Sequence, residues 1–139
     1  MHVLLVEDNA GDARLTIEAL NETSVRTQVS VVQDGIEALA FLRREKGHAN
    51  SPRPDLIFLD LNLPRKDGRT VLVEIRNDPA LKLIPVLILT SSRADSDINL
   101  SYDHGANCYL LKPNDLDTYF ALIRAIVEFW GWWVSLPTA

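Results

Sequence analysis

Short apolar runs alternate along the chain with segments whose apolar residues recur every three or four positions. The first run, Val3 to Val6, is too short for a helix and too uniformly apolar for a half-exposed strand. A run of this kind is typical of a strand buried on both faces of a parallel sheet. The same pattern predicts four more strands, at 29–32, 56–59, 86–89 and 108–111.

Helical spacing fills the intervals between these strands. Helices are predicted at 12–20, 35–44, 71–75 and 95–103, with a last one from Asn114 or Asp115 to at least Trp130. The stretch 47–54 is rich in Gly, Ser, Asn and Pro and is predicted to be a loop. A strand followed by a helix, five times over, predicts an α/β fold of the (βα)5 type. Its five-stranded parallel sheet carries helices on both faces.

Composition narrows the class of protein. The 139 residues fit one domain, predicted at 1–130 and followed by an aromatic tail at 131–139. A net charge of -5 argues against non-specific binding to nucleic acid or to an anionic membrane. The single cysteine, Cys108, excludes an internal disulfide and a cysteine-based zinc site. The start of the chain lacks the features of a signal peptide, and no apolar stretch reaches the length of a membrane span, so we expect a cytoplasmic protein.

Polar side chains that could take part in chemistry lie at or directly after the ends of four predicted strands. Glu7 and Asp8 follow the first, Asp60 the third, Thr90 ends the fourth and Lys112 follows the fifth. In an open α/β sheet, ligands bind beyond the carboxyl ends of the strands. We therefore expect three carboxylates, a hydroxyl and an ammonium group at one edge of the sheet.

Three carboxylates at one edge repel each other, and a divalent cation removes that repulsion. Ligand sets made only of oxygen favour Mg²⁺ or a similar hard ion, which leaves positions open for phosphate oxygens. The predicted site is a phosphoryl acceptor in which Asp60 is the carboxylate nucleophile. The cation and Lys112 would offset charge on the transferred group, and Thr90 would donate a hydrogen bond to it.

Each of these residues alone has an ordinary structural explanation. An acidic pair after a strand is usually a solvated turn, Asp60 could cap a helix, and Lys112 could be a surface lysine. The arrangement is informative because four strands deliver suitable residue types to the same edge.

Four motifs resemble the CheY-like receiver domain of two-component response regulators over residues 3–127. They are Val6-Glu7-Asp8-Asn9, Leu59-Asp60-Leu61-Asn62-Leu63-Pro64 with Gly68, Leu89-Thr90-Ser91, and Tyr109-Leu110-Leu111-Lys112-Pro113. The resemblance implies the strand order 2-1-3-4-5. It also implies the following site roles: phosphoacceptor Asp60, direct metal ligand Asp8, water-mediated ligand Glu7, backbone-carbonyl ligand Asn62, phosphoryl partner Lys112, switch hydroxyl Thr90 and switch aromatic Tyr109.

A narrower resemblance concerns the segment 9–15, the long second loop and the aromatic tail. These features are similar to those of small receivers paired with bacterial and cyanobacterial phytochrome kinases. The resemblance implies that the chain accepts a phosphoryl group from a sensor histidine kinase of the phytochrome type. Because the chain ends soon after the fifth helix, we expect it to signal through protein–protein contacts, to relay the phosphoryl group to another protein or to act as a phosphate sink.

The last helix and the aromatic tail carry more apolar surface than one buried face requires. Their apolar arc spans about twice the roughly 100° of a single buried stripe. Three tryptophans within four positions form an apolar cluster that we expect to be buried against another surface. We predict a homodimer interface that includes Leu122, Phe129, Trp130, Trp132 and Trp133. The alternative is that the tail folds back over its own domain.

Two other functions are compatible with the fold class. One is a binding module that acts without phosphorylation, although such a protein would be expected to have lost Asp60, Lys112 or the acidic pair. The other is an Mg²⁺-dependent hydrolase that forms an aspartyl-phosphate. Such hydrolases place a second acid two residues after the nucleophile, where this chain has Asn62. We therefore expect no enzyme activity beyond the chain's own phosphorylation and slow dephosphorylation.

Overall fold

The computed structural model describes residues 1–138, and five strands among them form one parallel sheet. The strands are β1 (His2–Val6), β2 (Gln28–Val32), β3 (Leu56–Leu59), β4 (Val86–Thr90) and β5 (Cys108–Leu111). Their order across the sheet is β2-β1-β3-β4-β5, as the resemblance implied. All five strands therefore lie where the apolar runs predicted them, within one residue at each end.

Five α-helices in the described part of the chain connect and follow the strands. They are α1 (Ala10–Asn21), α2 (Gly35–Arg43), α3 (Gly68–Asn77), α4 (Asp95–Asp103) and α5 (Leu116–Glu128). The prediction for α3 was too short, because Asp67 caps the helix by accepting a hydrogen bond from the Arg69 backbone and so starts it three residues earlier. The α-helical part of α5 ends at Glu128, not at Trp130, because residues Phe129–Trp133 form a π-helical turn.

The core consists of two apolar layers, one on each face of the sheet. Successive side chains of a strand point to opposite faces, so Leu4 and Val6 enter one layer while Val3 and Leu5 enter the other. Every residue of β3 and β4 is buried, which explains why these strands are apolar throughout. None of the helices described in residues 1–138 is long and apolar enough to span a membrane.

The parallel register aligns the carboxyl ends of the strands that carry the candidate residues. Val6 of β1 is the register partner of Leu59 of β3, and Leu59 is the partner of Ile88 of β4. On the far side of β4, Thr90 is the register partner of Leu111, the last residue of β5. The residues that follow these ends therefore emerge at one edge of the sheet.

The aromatic tail lies against the opposite edge of its own domain. The Trp132 indole donates a hydrogen bond to the Ser24 hydroxyl at 2.9 Å, and the Glu128 carboxylate accepts one from the same hydroxyl at 2.7 Å. Gly131 packs so closely on Val25 that a methyl group in place of its hydrogen would collide with that side chain. The tail thus folds back in part, as the alternative expected. Ala139, the last residue of the predicted tail, lies outside the described residues.

Candidate functional site

Asp60, the residue directly after β3, has a buried carboxylate that three donors orient. The Thr90 hydroxyl donates a hydrogen bond to Oδ1 at 2.9 Å, and the Asn62 backbone N–H donates to the same oxygen at 3.3 Å. The Lys112 ammonium donates to Oδ2 at 2.9 Å. Burial alone would raise the pKa of Asp60, but the hydrogen bonds and charge of Lys112 and the bond from Thr90 lower it. The carboxylate is therefore ionised and held in one orientation.

Lys112 reaches this position because its backbone extends the pairing of β5 with β4. Its N–H donates to the Thr90 carbonyl at 2.9 Å, one residue beyond the last strand pair. The ammonium then lies 2.6 Å from Glu7 Oε1, 2.9 Å from Asp12 Oδ2 and 2.9 Å from Asp60 Oδ2. Burial opposes the charge of Lys112, yet its hydrogen bonds to these carboxylates raise its pKa. Lys112 is a permanent cation at the centre of the site.

The acidic pair after β1 completes the cluster. Carboxylate oxygens of Glu7, Asp8 and Asp60 lie within 4.8 Å of one another. Glu7 is buried while Asp8 is exposed. Burial, with a further contribution from the charge of Asp60, raises the pKa of Glu7 to about 7 even though Lys112 counteracts it. The acids are therefore more crowded than one ammonium group can neutralise.

This crowding is the test of whether a divalent cation fits the site. Hard cations such as Mg²⁺ and Mn²⁺ bind carboxylate oxygens, and three such oxygens converge here from two neighbouring strands. A cation would offset the charge of Asp60, which adds to the effect of burial in raising the pKa of Glu7. The donor set therefore fits a divalent metal ion.

Tyr109 of β5 lies beside the loop that leaves this site. Its ring is half-buried against the core layer that contains Val86 and Ile88. Its hydroxyl donates to the Ser92 carbonyl at 2.9 Å, two residues beyond Thr90. Burial raises the pKa of the Tyr109 phenol, so the ring is neutral when it makes this bond. This hydrogen bond thus links Tyr109 to the loop that follows Thr90.

Residues 3–124 match the family model of the response regulator receiver domain. The chain belongs to this receiver family. Response regulator Rcp1 from Synechocystis sp. (strain ATCC 27184 / PCC 6803 / Kazusa) is 46% identical over 137 residues, which cover 99% of this chain and 93% of Rcp1.

Two solved structures are similar to this receiver over nearly all of both chains. The crystal structure of the Mn²⁺-bound form of response regulator Rcp1 has a TM-score of 0.93 and 45% identity, and the match covers 99% of each chain. The crystal structure of the phosphorylated cyanobacterial phytochrome response regulator RcpA has a TM-score of 0.95 and 50% identity, with 99% of this chain and 98% of that one covered. These similarities confirm the receiver fold and the class of signalling protein.

The receiver places most of the predicted site residues together and separates them from the tail. Glu7, Asp8, Asp60, Thr90 and Lys112 meet at the carboxyl edge of the sheet. The predicted interface residues lie in the middle of α5 and on the π-helical turn that follows it. They are Leu122, Phe129, Trp130, Trp132 and Trp133.

Sequence reasoning overlooked one residue of the site. Asp12 lies in the first turn of α1, and its carboxylate contacts the Lys112 ammonium at 2.9 Å. A signal was present, because Asp12 is four residues beyond Asp8, at the start of the helix that leaves the same edge of the sheet. The motif around Asp12 supported the resemblance to one subgroup of receivers, but no role was inferred for its carboxylate.

Proposed function

We propose that this receiver accepts a phosphoryl group on Asp60 from a phosphohistidine of a sensor histidine kinase. The observation that supports this most strongly is the environment of the Asp60 carboxylate. It is ionised, held by Thr90 and Lys112, and open toward the acidic pair Glu7 and Asp8. A nucleophile needs this combination of fixed orientation and nearby positive charge to react with a phosphoryl group.

The transfer begins with attack of an Asp60 carboxylate oxygen on phosphorus. The bond from phosphorus to the donor nitrogen breaks, its electron pair stays on the histidine ring, and the ring takes up one proton from solvent. Lys112 offsets charge on the phosphoryl oxygens, and Thr90 donates a hydrogen bond to one of them. Reversal to free Asp60 occurs by slow hydrolysis, in which water attacks phosphorus and inorganic phosphate leaves.

The metal ion of this reaction is proposed to be Mg²⁺. Asp8 and Asp60 would hold it directly, the Asn62 backbone carbonyl would be the third protein ligand, and Glu7 would act through water. When bound, the cation offsets the negative charge of the transferred group. The convergence of three carboxylates supports this assignment, and the Mn²⁺-bound form of the relative Rcp1 is in keeping with it.

The partner is proposed to be a phytochrome-type histidine kinase, in the cytoplasm. RcpA is described as a cyanobacterial phytochrome response regulator, and RtBRR, a structural neighbour with 38% identity, as a bacteriophytochrome response regulator. Both are similar to this chain over 99% of its length. That similarity, rather than any single residue, supports this choice of kinase.

Signalling is proposed to follow from the charge that phosphorylation adds. The phosphoryl oxygens would draw the Thr90 hydroxyl toward them, and Tyr109 would move into the space that Thr90 leaves. The face formed by α4, β5 and α5 would then change its surface. This is a shift between two existing conformations, biased by the phosphoryl group.

Intact-mass analysis with acetyl phosphate and Mg²⁺ tests the proposal. The wild-type protein should gain one phosphoryl group, and Asp60→Asn should gain none because its amide is a poor nucleophile. Asp55→Asn is the matched control, since Asp55 precedes the opposite end of the same strand and an asparagine can still accept its hydrogen bond from the His2 backbone.

The same measurement separates the competing functions. Modification that persists in Asp60→Asn would remove Asp60 as the acceptor. A wild-type protein that stays unmodified would favour a binding module that acts without phosphorylation. Rapid release of inorganic phosphate over many turnovers would favour the hydrolase, for which position 62 would have to supply an acid that Asn62 lacks.

A further inference from the structure

We propose that Asp12 is a positioning residue of the phosphorylation site, which competes with the phosphoryl group for Lys112 and so shortens the lifetime of the aspartyl-phosphate. This inference rests on the proposed function of Asp60. It assigns a role to a residue of α1 that touches neither the phosphoryl group nor Asp60, and acts only through the Lys112 ammonium.

The geometry of Lys112 leaves the ammonium with no spare donor. An ammonium group has three N–H bonds. Three carboxylates, those of Glu7, Asp12 and Asp60, lie 2.6–2.9 Å from the nitrogen. For Lys112 to donate to a phosphoryl oxygen, one of these three contacts has to be given up.

Asp12 is the contact that is easiest to release. The Glu7 side chain is 1% exposed and that of Asp60 is 9% exposed, so neither carboxylate can exchange its ammonium partner for bulk water. The Asp12 side chain is 32% exposed. Water can therefore replace Lys112 around Asp12 at a much smaller free-energy cost.

The balance of charge gives the direction of the effect. A divalent cation and Lys112 would together match the three carboxylates of Glu7, Asp8 and Asp60. The carboxylate of Asp12 is a surplus negative charge. Its Oδ2 and that of Asp60 are at most about 6 Å apart, since each is 2.9 Å from the same nitrogen, and charges at that distance interact directly. Because phosphorylation makes Asp60 more negative, Asp12 disfavours the phosphorylated state.

An acidic residue in the first turn of a helix also has an ordinary explanation. A negative charge there interacts favourably with the helix dipole, and Asp12 occupies that position in α1. That role would leave the chemistry at Asp60 untouched. The observation that argues for more is the 2.9 Å contact from Asp12 to a lysine 100 residues away in the chain.

The decisive experiment measures the lifetime of the aspartyl-phosphate by intact mass after acetyl phosphate is removed. Asp12→Asn keeps the size of the side chain and removes its charge, and we expect the half-life to rise about twofold to fivefold, within the range for one partly exposed charge pair. The ratio of the two half-lives should fall toward one at high salt, because screening weakens a charge effect. Asp12→Glu, which restores the charge, should return the half-life toward that of the wild type.

Glu18→Gln is the matched control for net charge. Glu18 lies on the same helix, pairs with Arg14 at the surface and does not belong to the Lys112 cluster. A half-life in Asp12→Asn that equals that of Glu18→Gln would overturn the role of Asp12. A prolonged half-life that does not respond to salt would also overturn it, since a purely structural change would then be the cause.

A second measurement tests the contact without any phosphorylation. The ¹H–¹⁵N signal of the Lys112 ammonium should shift and exchange faster with water in Asp12→Asn than in Glu18→Gln. An unchanged signal would overturn the proposal. The two levels of the proposal fail differently: a wild-type protein that takes up no phosphoryl group removes the function of Asp60, whereas an unchanged lifetime in Asp12→Asn removes only the role of Asp12.

Discussion

At the scale of single residues, Glu7 and Asp8 are neighbours in the chain with different environments. Glu7 is buried beside Lys112, and because its pKa is raised to about 7, a substantial fraction of it is protonated at neutral pH. Asp8 is exposed and lies within 4.8 Å of both other carboxylates. Asp8 therefore offers the charge that an incoming cation meets first, which agrees with the proposed division into a direct and a water-mediated ligand.

We accordingly predict that Asp8→Asn weakens Mg²⁺ binding by about tenfold or more. Loss of a residue that only supports a metal ligand costs about tenfold to a hundredfold in affinity, and Asp8 is proposed to bind the ion itself. Calorimetric titration with Mg²⁺ measures the change. Asp103→Asn, an exposed acid at the end of α4, is the control and should bind Mg²⁺ as the wild type does. Equal affinities in the two variants would contradict the role of Asp8.

At the scale of secondary-structure elements, the start of α3 supports the segment that carries Asp60. The Gly68 N–H donates to the Leu61 carbonyl at 2.9 Å. A Cβ atom on Gly68 would collide with the Asp60 carbonyl oxygen and the Leu61 backbone. The helix can approach this closely only because the residue has no side chain. Its position therefore controls the orientation of the proposed phosphoacceptor.

We predict that Gly68→Ala lowers the free energy of unfolding by about 2 kcal/mol or more, because backbone atoms have to shift to admit the methyl group. It should also slow phosphorylation by acetyl phosphate, since the Asp60 segment moves with it. Urea unfolding and intact mass measure the two effects.

Gly47→Ala is the control for this substitution. Gly47 has a positive φ of 92°, but no atom beyond its two chain neighbours lies within 4 Å of where its Cβ would be. Its cost is confined to backbone strain of about 1 kcal/mol, with an unchanged rate of phosphorylation. A Gly68→Ala protein that is as stable and as readily phosphorylated as Gly47→Ala would refute the support proposed for α3.

A second connection between elements joins α3 and α4 to the loop beyond Thr90. The Arg69 guanidinium contacts Asp97 at 2.9 Å, and the Ser92 hydroxyl donates to the same carboxylate at 2.6 Å. The bonds from Ser92 and Arg69 lower the pKa of Asp97, so the contact persists to acidic pH. Ser101 is the only residue of α4 that is buried among those described. α4 is therefore held mainly by polar contacts. Its small buried apolar surface is consistent with the proposed conformational shift of this helix.

At the scale of the whole molecule, the proposed phosphorylation site and the exposed aromatic residues lie at opposite edges of the sheet. Phe129 is 54% exposed, Trp132 63% and Trp133 82%, although the tail contacts its own domain through Ser24 and Val25. Folding back thus covers only part of the aromatic surface. An uncovered cluster of this kind is typical of an interaction surface, which supports the proposed homodimer.

We predict that the full-length protein self-associates and that Trp133→Ala weakens this association by about tenfold or more, as loss of a tryptophan at an interface centre commonly does. Sedimentation velocity over a range of micromolar concentrations measures it. Leu83→Ala removes an apolar side chain that is 58% exposed elsewhere on the surface and should associate as the wild type does. A wild-type protein that sediments as a monomer throughout would exclude the dimer.

The sequence predicted some parts of the structure better than others. The five strands were predictable because a strand buried on both faces is apolar at every position, and β3 and β4 are of this kind. The first turn of α3 was missed because Gly68, which opens the helix, is a poor helix former, and the possible N-cap Asp67 before it was not considered. The candidate site was predictable because parallel strands deliver their carboxyl ends to a shared edge.

Sequence by itself therefore determined the class of fold, the edge at which the chemistry lies and five of the side chains that meet there. Only the tertiary structure decided that Asp12 contacts Lys112, because that contact joins residues 100 positions apart through side chains of different elements. It also decided that the tail lies partly on its own domain, since this depends on the shape of the surface around Ser24 and Val25. Periodicity describes which side of an element is buried, whereas contacts between distant side chains depend on how the packed elements are placed relative to one another.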